Sequence, residues 1–103
     1  MVQRESVQWF SEQMEKKLLA NDHKPGWNGL PDPYFVSRAQ DELQELAEAL
    51  ARGMSPEDVI QECADVANFC MMLADKKRQH DQITIRGRIQ LAAEAGHSIS
   101  QEV

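Results

Sequence analysis

The stretch RGMSPED, residues 52–58, limits what this chain can fold into more than any other. Gly53 suits the position just past a helix C-terminus, where a left-handed backbone conformation is usual. Ser55 offers an N-cap, Pro56 suits the first helical position, and Asp58 completes an S-x-x-[DE] capping arrangement. One helix has to end and the next begin almost at once. A connection this short favours an antiparallel hairpin of helices.

The flanks supply both helices. Residues 35 to 52 read as one, with an apolar seam of Val36, Ala39, Leu43, Leu46 and Leu50. The other runs from Pro56 to about residue 79. From Cys63 to Asp75 it is apolar nearly all round, as expected for a helix buried on several sides and, in a short chain, for a subunit interface. An earlier helix is expected over 3–20, with Val7, Phe10, Met14 and Leu18 at helical spacing. Between them NDHKPGWNGLPDPY, residues 21–34, holds three of the four prolines and two of the five glycines and interrupts the helix, placing Lys24, Trp27 and Tyr34 on a loop. The segment ITIRGRIQLAAEAG reads as a weaker fourth helix or a packed tail, and HSISQEV carries no signal.

No repeat, low-complexity tract or strand pattern interrupts this reading, so the expected class is all-α. A single domain over residues 1–103 is expected, with its core at about 5–79. A chain of 103 residues buries a limited core. Oligomerisation, as a homodimer or a dimer-of-dimers tetramer, is therefore expected to complete the helical hairpin bundle.

Seventeen acidic residues against eleven Lys and Arg give a net charge of −6, which provides no basic footprint for a nucleic-acid backbone. Free nucleotides remain compatible where metal ions neutralise the site. No apolar run approaches the roughly 20 residues needed to span a bilayer, and MVQRESVQWF lacks the apolar core of a signal peptide. A cytoplasmic protein without a membrane partner is expected. Cys63 and Cys70 stand seven apart on one helix, roughly 10 Å along its axis. A disulfide reaches only about 7 Å between α-carbons, so both are expected to be reduced.

Two pairs of acids flank the hairpin turn: Glu42/Glu45 before it, Glu62/Asp65 after it. Residues three apart share a helix face. Glu45 and Glu62 lie about 10 and 9 Å from the turn, Glu42 and Asp65 about 15 and 14 Å, so each acid has a partner at its own level. E-x-x-E alone is common on solvated helix faces. Here, however, Glu62 and Asp65 belong to an otherwise apolar helix, where carboxylates need compensation. Four acids brought together raise one another's pKa unless a cation intervenes, and an all-oxygen ligand set suits Mg²⁺ or Mn²⁺. His23, His80 and His97 all fall elsewhere, which excludes the Glu-x-x-His pairs of di-iron bundles.

With 16 residues between its two halves, this E-x-x-E … E-x-x-D pattern resembles the signature of the all-α nucleoside triphosphate pyrophosphohydrolases, the MazG-like superfamily that includes the dimeric dUTPases. The resemblance covers about residues 5–75. FSEQMEKKL and NDHKPGW, through Lys24, Gly26 and Trp27, look like the branch of small phage-associated and microbial dATP/dGTP pyrophosphohydrolases to which the MazZ-type enzymes are related.

The resemblance implies Mg²⁺-dependent hydrolysis of a nucleoside triphosphate substrate to the monophosphate and pyrophosphate, with Glu42, Glu45, Glu62 and Asp65 holding metal. In many members a Glu precedes the first motif and is proposed to activate water. This chain has Asp41 there, with a shorter side chain. Lys24 is expected to hold a phosphate and Trp27 to stack on the base. Asn68 is expected to contact sugar or phosphate, or to orient Asp65. Phe69, Met71 and Met72 read as interface packing, with a place in the base pocket as the alternative for Phe69. Trp9 and Phe10 read as core, and Lys76, Lys77 and Arg78 as a solvated helix end, with contact to the substrate as the alternative for one of them.

Overall fold

A computed structural model describes residues 2–22 and 25–95, with side chains as far as Gln79. The described residues hold three helices and no strand: α1 (Glu5–Ala20), α2 (Asp32–Ala51) and α3 (Pro56–Ala95). The chain divides into two compact units, residues 1–73 and 74–103, with α3 contributing to both.

The turn forms as its residues dictate. The N–H of Gly53 donates to Leu50 O at 3.2 Å and that of Met54 to Ala49 O at 3.0 Å, the paired bonds of a Schellman motif. Gly53 has φ +65°, a conformation costly for a residue with a Cβ. On the far side, the Asp58 N–H donates to Ser55 Oγ at 3.2 Å and the Val59 N–H to Ser55 O at 3.1 Å, so Ser55 caps α3.

Other boundaries move. α2 starts at Asp32, three residues before the expected 35, because Pro33 is tolerated in a first turn whose N–H groups need no partner within the helix. Tyr34 is therefore helical. α3 continues past 79 to Ala95 without a break, so the expected fourth helix is its continuation. Lys76, Lys77 and Arg78 sit inside this helix and not at its end. Arg78 pairs there with Asp75, which also accepts from Gln79 Nε2 at 2.8 Å.

The core of the first unit is thin. Among its described residues Phe35, Ala49 and Ala64 are the buried apolar ones, joined by buried Glu42 and Asn68. The buried line on α2 is thus 35, 42, 49. The expected seam is split: Ala39 and Leu46 are half-buried, whereas Val36, Leu43 and Leu50 are 49%, 54% and 62% exposed. Two apolar lines one residue apart run along this helix, about 100° apart around its axis. The inward one carries an acid at its middle.

α1 contributes no buried residue; Phe10, Met14 and Leu18 are half-buried, and Trp9 is exposed. It is tied to α3 where Asn68 Nδ2 donates to Met14 O at 3.2 Å and Lys17 Nζ meets Asp65 Oδ2 at 3.3 Å. Cys63 and Cys70 are both free thiols, Cys70 exposed. Among the described residues no helix is long and apolar enough to cross a membrane.

Candidate metal centre

The antiparallel course of α2 and α3 brings Glu42 of the first acid pair onto both acids of the second. Glu42, Glu62 and Asp65 each present an oxygen, and these lie within 4.8 Å of one another. Glu42 is 8% exposed; the other two are half-buried. Glu45 is exposed and lies outside this trio, yet it is close enough to raise the pKa of both Glu42 and Glu62 through charge and hydrogen bonding.

The electrostatics are those of an under-compensated cluster. Burial pushes the Glu42 carboxyl up to about 7, reinforced by its hydrogen bond with Glu45 and by the charges of Glu45 and Asp65. The Glu62 carboxyl is also raised, first by burial and then by the charges of Glu45 and Asp65. Two cations oppose this. Arg38 Nη2 donates to Glu42 Oε1 at 3.1 Å, and Lys17 lowers the pKa of Glu62 while paired with Asp65.

A divalent cation fits this donor set on two grounds. Glu62 Oε2 is buried without a hydrogen-bond partner, a state that protein interiors rarely leave uncompensated. The ligands are all carboxylate oxygens, the donors preferred by Mg²⁺ and Mn²⁺.

A cavity of about 400 Å³ adjoins the cluster, and Asp65 belongs to both. Trp27, Tyr34 and Phe69 line it together with Lys17, Asn68 and Met72. Tyr34 packs edge-on against Phe69, with ring centroids 6.4 Å apart. Asn68 is 4% exposed; its Nδ2 is taken by Met14 O, and its Oδ1 has no partner.

The residues expected from sequence therefore fall into groups. Glu42, Glu62 and Asp65 converge, Glu45 stands beside them, and Trp27 and Asn68 line the adjoining cavity. Lys24 lies outside the described residues. Asp41 is exposed, is not one of the three converging acids, and pairs at 3.0 Å with Nη1 of the same Arg38 that holds Glu42. Phe69, expected in an interface or in the base pocket, lines the cavity, and so does Met72.

Lys17 and Arg38 were not expected in the site. Arg38 was readable in principle, because it precedes Asp41 by three and Glu42 by four on one helix face. Its guanidinium also lies 5.2 Å from the Phe69 ring centroid. Lys17 reaches the site only through the packing of α1, which no local pattern records.

No protein-family model matches the chain, and neither does any curated protein or solved structure.

Proposed function

We propose that this chain is an Mg²⁺- or Mn²⁺-dependent nucleoside triphosphate pyrophosphohydrolase of the MazG-like kind, acting on purine deoxynucleotides such as dATP and dGTP. The observation that carries this reading is the convergence of Glu42, Glu62 and Asp65 beside a cavity walled by Trp27, Tyr34 and Phe69, with Asp65 common to both. Glu42, Glu62 and Asp65 would hold the cation, with Glu45 as a further ligand or proton acceptor. When bound, the cation supplies charge neutralisation of the triphosphate and acidifies water at the site.

The chain's own groups do the rest. The aromatic walls give the base a sequence-tolerant stacking surface. Arg38, held by Asp41, Glu42 and the Phe69 ring, fixes the Glu42 carboxylate in place. Water attacks the α-phosphorus, pyrophosphate departs, and the water proton passes to a carboxylate. Glu45, next to Glu42 and Glu62, is better placed to take it than Asp41, which is engaged with Arg38.

The test is incubation with each common NTP and dNTP plus Mg²⁺ or Mn²⁺, with products resolved by ion exchange. Monophosphate and pyrophosphate from a subset support the assignment; orthophosphate or no product overturns it.

One observation favours a second reading, a helical interaction module. Val36, Leu43 and Leu50 form an exposed apolar line on α2, bordered by an apolar groove that includes Val66, Cys70 and Leu73. In the enzymatic reading a second copy covers this line and supplies the burial that the thin core lacks. The module reading predicts no stabilisation by Mg²⁺ or Mn²⁺, so a melting temperature unmoved by millimolar cation selects it.

A further inference from the structure

Lys17 stands at the boundary between cluster and cavity. Its ammonium pairs with Asp65, one of the three converging acids, and the same residue lines the cavity beside Trp27 and Asn68. Its situation differs from that of Arg38, whose planar guanidinium is held by two carboxylates and an aromatic ring. Lysine is a point charge on a flexible four-carbon stem, readily moved from one anion to another.

A divalent cation bound by the trio would meet this ammonium at the same Asp65 carboxylate. Two positive charges a few ångströms apart repel each other, and the doubly charged ion with several oxygen ligands wins. The displaced ammonium remains on the cavity wall. Asn68 also lines this wall, and its Oδ1, buried behind it, has no hydrogen-bond partner.

Resting on the metal-site reading above, we infer that Lys17 is a displaceable counter-ion. It neutralises Asp65 in the cation-free chain, yields that carboxylate to the incoming divalent ion, and moves onto the phosphates of the nucleotide. Cation binding thereby prepares the anion site, and the order is cation first, nucleotide second.

The consequence is a pair of effects of opposite sign. Removing the ammonium takes away a competitor for the cation and a ligand for the phosphate. A lysine with a purely structural role would move both affinities together or neither.

The experiment uses the full chain and its Lys17→Met and Lys17→Arg variants, with helicity checked by circular dichroism. Mn²⁺ alone is titrated by calorimetry, followed by the non-hydrolysable analogue α,β-methylene-dATP in saturating Mn²⁺. Lys17→Met is expected to bind Mn²⁺ about three- to tenfold more tightly and the analogue about tenfold more weakly. Lys17→Arg, which keeps the charge, should stay close to the parent on both. If the parent binds Mn²⁺ and Lys17→Met binds it no more tightly, displacement is refuted and the metal site stands. Unchanged analogue affinity in Lys17→Met refutes the transfer to phosphate. A parent chain that binds no Mn²⁺ overturns the metal-site reading, and this inference with it.

Discussion

The two faces of α2 reverse the usual division of labour. The line turned inward, Phe35, Glu42 and Ala49, buries a carboxylate at its centre, while the line turned outward, Val36, Leu43 and Leu50, exposes three branched apolar side chains. A lone chain seeking only stability would exchange them. Burying Glu42 is costly unless its charge is compensated, and Arg38 compensates it in part. Leaving the leucines in water forgoes apolar burial that a small core can ill spare. The difference is what the proposed function requires: an inward face that holds a cation and an outward face that a second copy covers.

Each prediction tests one side of this contrast. The largest effect is expected at the acids: Glu62→Gln or Asp65→Asn should reduce pyrophosphate release on the order of a hundredfold or more while helicity is kept. Steady-state assays with dATP and dGTP measure this, and retained turnover would break the comparison at its inward face. At the outward face, Leu43→Glu combined with Leu50→Glu should convert an associated form to a monomer and cost about 1 kcal/mol for each side chain. Sedimentation equilibrium reads the mass; an unchanged mass would remove the interface.

A smaller effect is expected from pH. Because the Glu42 carboxyl is raised to about 7 in the fold, the native chain keeps a proton that the unfolded chain has already lost. The associated stability is complete below the ordinary carboxylate pKa near 4.5 and fades as pH rises through about 7. In chelator, the melting temperature should therefore fall between pH 5 and 7.5, and Mn²⁺ should raise it more at the higher pH. Equal cation effects at both pH values would mean that the ion binds elsewhere. Smallest is the turn, where Ser55→Ala should cost about 1 kcal/mol, or roughly 4–8 °C in Tm. Cation affinity should not change.

How legible all this was from sequence depended on range. The turn was readable because Gly53, Ser55 and Pro56 each act on the backbone within a few residues. The level-matched acids were readable because helix rise is constant, although their exposure was not: Glu45 stays outside while Glu42 is buried. The phase of α2 was misjudged for a physical reason. A hydrophobic pattern passes over a line holding an acid and an alanine in favour of one holding valine and two leucines, and here the former faces inward. The continuation of α3 was hidden by the polar stretch DKKRQHDQ and the β-branched ITI, neither of which stops a helix already propagating. Lys17 and the cavity it lines depend on the docking of α1, a contact between residues 54 apart at Asn68 and Met14.

That contact sets a clock as well as a geometry. α1 buries no residue of its own, so its amides should exchange with solvent sooner than those of the hairpin, which holds the buried core. Lys17, Leu18 and Asn21 form part of the cavity wall, so each partial detachment of α1 also opens the cavity. On the proposed function, a nucleotide that pairs with Lys17 would hold α1 in place and slow the exchange of its amides.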